Sequence, residues 1–339
     1  MVTIKDIARE SGYSISTVSR VLNHKGDVSG DARKKIEEVV EQFHFVPNNN
    51  AKHLKQNNSK TIGVLVKGIS NMLFSSIVEE IQRIIAKTDY TLVVSYLDED
   101  EDEVEQAIVL CRERKPLGLL FLGGTPEYFK KEFARVDIPC VLVTNLADQL
   151  DFDNLSSVAT DDVAGAHCAV DALFDAGHRK IGILGGNIQK SYTSYLRFCG
   201  CKESFAAHGM ELDVERCYEK IHFSFGSGYR GMNRLIGKFP DLTAVFAMSD
   251  VTAIGAVRAL RDRGYQVPQD VSVIGFDGTA LAEYYNPKLA TVRQQYETLA
   301  TRSIEILFGQ IELKKQPIHE VIPFELVGGE SIRVIGADE

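Results

Sequence analysis

Over residues 1–47 the apolar positions recur in three short blocks. Ile4, Ile7 and Ala8 make the first, Val18, Val21 and Leu22 the second, and Ile36, Val39, Val40 and Phe43 the third. Steps of three and four place each block on one face of a helix, so three amphipathic helices are predicted. Each block has a capping residue ahead of it: Thr3, with Asp6 three places on, then Ser14, then Ser29. Their hydroxyls can accept the first backbone N–H groups of a helix. Ser11-Gly12-Tyr13 separates the first two blocks, Gly12 supplying a left-handed turn. Pro47 closes the third, since proline cannot continue a helix. From Thr61 the period changes. Thr61–Val66, Thr91–Ser95, Gly118–Leu122 and Cys140–Val143 are short apolar runs, with Phe74–Ala86 an amphipathic helix between the first two. A second series starts near Val163 and contains Lys180–Leu184, Leu242–Ala247 and Val271–Phe276. Strands alternating with helices predict parallel sheets covered on both faces, and two series in tandem predict two lobes.

Three short helices around one core leave Ile15, Ser16, Thr17, Ser19 and Arg20 outward on the second. That face is small and hydrogen-bonding and carries one arginine, a surface that fits a major groove. The segment therefore reads as a helix-turn-helix. Ile15, Ser16 and Arg20 are the candidates for base edges, and Lys5, Ser14, Thr17 and Ser19 those for the DNA backbone. The net charge of −9 argues against a nucleic-acid partner only until it is divided. Residues 1–60 hold ten Lys/Arg against seven Asp/Glu, a balance of +3, which leaves −12 on the rest. A basic head on an acidic body presents one end to phosphate.

With 44% hydrophobic and 25% charged residues the chain is neither disordered nor membranous, and its 339 residues allow one small and one or two medium domains. No apolar run approaches the ~18 residues of a membrane span, and no basic-then-apolar leader opens the chain, so a cytoplasmic protein is expected. The six cysteines fit no metal-ligand spacing and are expected to be buried reduced thiols. The acidic run Asp98–Glu103 reads as a solvated loop entering a helix, where negative charge suits the dipole. Gly226-Ser-Gly-Tyr-Arg-Gly231 matches a dinucleotide fingerprint in form only, lying mid-lobe after a short strand; a loop-to-helix turn accounts for its glycines. No catalytic motif stands in the sequence, so neither an enzyme nor a cofactor nor a metal is expected.

Asn48–Asn58 has the composition of a linker. Within it Asn50-Ala-Lys-His-Leu-Lys55 could make about two helical turns, which are marginal in water without a surface to fold against.

The run Ile4-Lys-Asp-Ile-Ala, continued by Ser11-Gly-Tyr-Ser-Ile-Ser-Thr-Val-Ser-Arg-Val-Leu-Asn23, resembles the headpiece of the lactose-repressor/galactose-repressor (LacI/GalR) family of bacterial transcription regulators. Thr17–Asn23 is its most specific part; Tyr13 departs from it, standing where the family carries a smaller apolar residue. The resemblance covers essentially the whole chain. It implies an N-terminal all-α helix-turn-helix headpiece (1–47), a hinge helix or linker (48–59), and an α/β two-lobed, periplasmic-binding-protein-like (type I) body with parallel sheets. The N-terminal lobe would comprise 60–162 and 293–327, and the C-terminal lobe 163–292 and 328–339. It further implies that Ala51, Leu54 and Lys55 enter the minor groove, Leu54 as a wedge between base pairs.

In open parallel sheets a ligand sits beyond the carboxyl ends of the strands, and in a two-lobed body that is the cleft. Asn71–Phe74, Thr144-Asn145, Ser191–Arg197, Ser249-Asp250 and Asp277 fall there. By resemblance Arg197 matches the family's effector-binding arginine and Asp277 the aspartate that pairs with effector hydroxyls. Ser249 and Thr144 stand where some relatives have asparagine and aspartate. Phe74, Gln294 and Tyr296 are candidates for the first-lobe wall. The expectation is a homodimeric repressor of a carbohydrate-utilisation operon that binds a pseudo-palindromic double-stranded DNA operator and answers to a small sugar-like effector. The C-terminus lacks the leucine heptads of a tetramerising coiled coil. The alternatives are control by a phosphorylated carrier protein, a purine corepressor, or a sugar-binding or enzymatic body.

Overall fold

The structure, a computed structural model, describes residues 4–22, 28–43, 60–68 and 70–336. The chain divides into two compact units, residues 1–59 and 60–339. Thr3, Pro47 and the hinge candidates Ala51, Leu54 and Lys55 lie outside the described residues.

The first unit contains α1 (Ile4–Ser11), α2 (Ile15–Leu22) and α3 (Gly30–Gln42). Ile7, Ala8, Val18, Val21 and Ile36 form its buried core, with Ile4, Tyr13, Leu22, Val39 and Val40 packed against it. Gly12 turns the chain between α1 and α2 at φ +74°, and its N–H donates to the Ala8 carbonyl at 3.1 Å. The Ser14 hydroxyl accepts the Thr17 N–H at 3.2 Å and so caps α2. Two expectations fail here. Ser29 occupies the N-cap position of α3 but its side chain makes no capping bond. Phe43 is 36% exposed: it lies one residue past the end of α3, and Val39 and Val40 close the core without it.

The second unit holds two six-stranded sheets. The first comprises β1 (Thr61–Lys67), β2 (Thr91–Leu97), β3 (Gly118–Leu122), β4 (Cys140–Val143), β5 (Leu155–Thr160) and a late strand, β11 (His319–Ile322). Its order is β11-β5-β4-β3-β1-β2, with every pair parallel. The second comprises β6 (Ile181–Gly185), β7 (Tyr218–Lys220), β8 (Ala244–Ala247), β9 (Ser272–Asp277), β10 (Ala290–Gln294) and β12 (Phe324–Val327). Here the order is β12-β10-β9-β8-β6-β7, parallel except for β12. The first sheet is flanked by α4 (Met72–Ile85), α5 (Glu103–Arg114) and α6 (Pro126–Glu132). With the second come α7 (Asp162–Asp175), α8 (Tyr192–Ala207), α9 (Val214–Cys217), α10 (Phe225–Lys238), α11 (Asp250–Asp262) and α12 (Ala280–Tyr284). Finally α13 (Tyr296–Leu313) packs on α4 and the first sheet. The result is two doubly covered lobes.

The chain passes between the sheets after β5, after β10 and after β11. This moves the lobe boundaries expected at 292/293 and 327/328. Residues 293 and 294 end β10, and Phe324–Val327 pairs antiparallel with β10, so both belong to the second sheet. Pro323, between β11 and β12, cannot donate to a ladder, and the chain changes sheets there.

The block Gly226–Gly231 lies in the first two turns of α10. A Cβ on Gly228 would overlap the Thr252 carbonyl oxygen on α11, and one on Gly255 of α11 would overlap that of Phe225. These glycines let two helix backbones touch. Cys140, Cys201 and Cys217 are buried as expected, whereas Cys111, Cys168 and Cys199 are half-buried; all six are free thiols. Among the described residues no helix is long and apolar enough to cross a membrane.

Candidate functional site

In the first unit, α2 presents Ile15 (45% exposed), Ser16 and Arg20 to solvent, with Lys5 and Ser14 also exposed and Thr17 and Ser19 half-buried. Ser14 Oγ lies 2.7 Å from Ser16 Oγ and 2.9 Å from Thr17 Oγ1. The three hydroxyls thus form one cluster over the amino end of α2. The apolar side chains of the same helix, Val18 and Val21, anchor it in the core and so fix which face turns outward.

In the second unit a cavity of about 570 Å³ lies between the lobes. Phe74, Thr144, Arg197, Ser249, Asp277 and Gln294 all line it, and all are buried. The strand-end rule places them: Thr144 follows β4, Asp277 and Gln294 end β9 and β10, and Ser249 caps α11. Thr144 and Asp277 adopt positive φ, +75° and +117°, backbone strain of the kind that gathers at ligand sites. Tyr296 is not brought there. It begins α13, is 37% exposed, and directs its hydroxyl to Glu297 at 3.3 Å, because Gln294 already fills the cleft end of β10.

Arg197 sits on the first turns of α8, over the Phe276 ring, its guanidinium carbon 3.7 Å from the centroid. Its Nε donates to Asp162 Oδ1 at 2.8 Å, its Nη1 to the Met248 carbonyl, and its Nη2 lies 3.8 Å from Asp277 Oδ1. Sequence reasoning missed Asp162, which opens α7 and looks there like an ordinary helix-start acid. Asp277 in turn accepts the Gln294 amide at 2.9 Å. Behind it Asp250 accepts the Thr279 N–H at 2.7 Å and the Thr291 hydroxyl at 2.6 Å. Burial pushes the Asp277 carboxyl up to about 8, outweighing Arg197, and Asp250 and Asp162 add to the rise. Burial likewise lifts Asp250 to about 6, against its hydrogen bonds from Thr291 and Thr279, and raises Asp162 against the pull of Arg197. Two carboxyls, Asp162 and Asp277, thus flank one buried cation, and Asp250 stands behind Asp277 on its own hydrogen bonds.

The mouth of the cleft carries contacts between the lobes that the sequence did not announce. Glu99, beyond β2, reaches His222 Nδ1 at 2.9 Å and accepts the Phe223 N–H at 3.1 Å, both residues lying beyond β7. Asn145 donates to Thr193 Oγ1 at 3.0 Å. In the first-lobe wall, Lys67 Nζ contacts Glu103 Oε2 at 2.6 Å and Thr125 Oγ1 at 2.9 Å, and lies 4.7 Å from the Tyr128 centroid. The acidic run is therefore only partly solvated. Asp102 caps α5, accepting the N–H groups of Val104 and Glu105, while Glu103 is 1% exposed.

Comparison with known proteins agrees with both units. Residues 3–48 match the family described as bacterial regulatory proteins, lacI family, and residues 170–332 match a periplasmic binding protein-like domain. The HTH-type transcriptional regulator MalR of Clostridium butyricum is 36% identical over 97% of this chain and 99% of its own length. The ribose operon repressor of Haemophilus influenzae is 32% identical over 92% of each. A solved complex of the transcriptional regulator CelR with cellobiose superposes with a TM-score of 0.70 at 25% identity, covering 98% of this chain and all of that one.

Proposed function

The chain belongs to the lacI family of bacterial regulatory proteins and is a DNA-binding transcription regulator; from that premise we propose that it represses genes of carbohydrate use under the control of a sugar held between its lobes. The observation that carries this reading is the interlobe cavity itself. Arg197 offers it a charged donor and Asp277, beside it, a carboxyl that burial keeps protonated and that can donate or accept, a pairing suited to sugar hydroxyls, and Phe74 offers an aromatic surface. The ribose operon repressor and the cellobiose-bound regulator among the similar proteins point the same way.

On the DNA side, Ile15, Ser16 and Arg20 contact base edges, while Lys5, Ser14, Thr17 and Ser19 fix the headpiece on the backbone. One such helix makes few contacts. Two copies related by a two-fold axis read the halves of a pseudo-palindrome, which makes a homodimer the working form. Ala51, Leu54 and Lys55 enter the minor groove at its centre, Leu54 as the wedge. Ligand in the cleft selects one arrangement of the lobes, and the dimer passes that choice to the DNA-binding end with a coupling of about 1–3 kcal/mol. A protein working on the chromosome acts in the cytoplasm, and it performs no catalysis.

The test is direct. Duplexes selected from a random pool by the full-length protein should converge on a pseudo-palindrome, and anisotropy titrations on that sequence should shift by roughly 5–150-fold with one saccharide of a panel. A pool that does not converge would overturn the DNA reading. Convergence with a response to purines alone would replace the sugar by a purine corepressor.

A further inference from the structure

The cleft is larger and differently charged than a site for one small sugar requires, and its size and charge identify the class of ligand. At organic-crystal packing density the twelve heavy atoms of a hexopyranose occupy about 180 Å³. A cavity of about 570 Å³ would then be two-thirds water around such a ligand. The liners fall into two sets by burial. Arg197, Asp277, Gln294, Ser249, Thr144 and Phe74 are buried, and they supply hydrogen-bonding groups with one aromatic surface. Tyr128, Tyr192 and Phe223 are half-buried, a second aromatic group nearer the solvent. Above that outer group the mouth is bridged by Glu99 to His222 and to the Phe223 N–H. Aromatic liners at both depths suit a ligand with more than one ring face to cover.

Charge narrows the class further. Each inner cation has a carboxylate against it: Lys67 has Glu103 at 2.6 Å and Arg197 has Asp162 at 2.8 Å. At the rim, His222 has Glu99 at 2.9 Å. The exposed liners Lys190 and Lys220 are matched in number by the exposed Asp100 and Glu127. No excess of positive charge remains for a phosphate group, which needs cationic or clustered N–H donors to replace its hydration.

We infer that the cleft takes an uncharged saccharide of two or more rings, one held among Arg197, Asp277, Gln294 and Phe74 and the next against Tyr192 and Phe223. This rests on the sugar reading given above and specifies its ligand. Tyr192 is then a specificity-determining residue for the second ring.

Calorimetric titration of the full-length protein tests this with maltose, cellobiose, lactose, glucose, glucose 6-phosphate and guanine, alongside the Tyr192→Ala and Tyr192→Phe variants. The expected result is that one disaccharide binds at least tenfold more tightly than glucose or glucose 6-phosphate. Tyr192→Ala should remove most of that advantage while leaving glucose affinity within twofold, and Tyr192→Phe should restore it. Glucose or its phosphate binding as tightly as any disaccharide would overturn the inference while leaving the sugar reading intact. So would an unchanged disaccharide preference in Tyr192→Ala at unaltered thermal stability. If a purine bound and no sugar did, the sugar reading itself would fall, and the inference with it.

Discussion

Asp277 is 4% exposed, and its nearest cation, the Arg197 guanidinium, is 3.8 Å away and more closely engaged by Asp162 at 2.8 Å. Asp277→Asn keeps the shape and the Gln294 contact while removing the titration. The native carboxyl titrates near pH 8 against an ordinary 3.8, because burial disfavours its charged form. A raised native pKa on an acid means that the folded state holds its proton more tightly than the unfolded one. Its stabilising contribution is therefore full below pH 3.8 and is lost progressively as pH rises to 8, at about 1.4 kcal/mol per unit. Between pH 5 and pH 8 the parent protein should lose about 3–4 kcal/mol that the asparagine variant keeps. Groups remote from the cleft titrate in both proteins and drop out of the difference, whereas Asp250, which raises Asp277 and is raised by it in turn, is relieved in the variant and contributes in the same direction. At roughly 2–4 °C per kcal/mol for a unit of this size, the melting temperature of the variant should gain on the parent by on the order of 10 °C across that range. The chain contains no tryptophan, so the body transition is best followed by calorimetry or far-ultraviolet circular dichroism, at pH 5, 6, 7 and 8. A difference that stays flat with pH would mean that the Asp277 carboxyl does not titrate in this range. So would a variant 3–5 kcal/mol less stable at pH 8, the signature of a broken buried ion pair.

Asp162→Ala should behave in the opposite way: it strips the buried Arg197 of its closest carboxylate, costing about 3–5 kcal/mol of body stability by denaturant titration, together with the saccharide response. Arg20→Ala, on an exposed face of α2, should reduce discrimination between operator and unrelated duplex by about 1–3 kcal/mol in anisotropy titrations, with the melting temperature unchanged. Gly228→Ala should cost about 1–3 kcal/mol, visible as a lowered body transition, since its methyl would meet the Thr252 backbone rather than a side chain that could turn aside.

The headpiece was legible because its signals are local. Gly12, Ser14 and the Val18/Val21 spacing each act within a turn or two, and the structure uses each as expected. Apolar strands were equally plain, and they fixed where their carboxyl ends lie, which is why Phe74, Thr144, Arg197, Ser249 and Asp277 arrived together; the strand that ends at Gln294 was not foreseen. Failures occurred where a polar residue owes its place to a partner far along the chain. Leu155–Thr160 is a central strand with two serines in it, and neither looks like a core residue. Both are buried because their hydroxyls accept backbone N–H groups, Ser156 from Ile318 and Ser157 from Ala147. Asp162 waits on Arg197, and Glu103 on Lys67. Nothing within ten residues of either acid distinguishes it from a solvated helix start, so composition and spacing necessarily assign them to the surface.

The mouth contacts set a limit on what a ligand must do to switch this protein. Glu99–His222, Glu99–Phe223 and Asn145–Thr193 join the lobes directly. At about 0.5–1.5 kcal/mol net apiece, such partly exposed hydrogen bonds favour this arrangement of the lobes only modestly. A ligand shifts that balance solely through contacts it makes better in one arrangement than in the other. Phe74 and Thr144 belong to the first lobe, and Arg197, Ser249 and Asp277 to the second. A saccharide reaching both walls gains from closure, whereas one resting on Arg197 and Asp277 alone gains nothing from it. Occupancy and response are therefore separable in this cleft: a sugar fragment too short to touch the first lobe should compete for the site and leave operator affinity where it was.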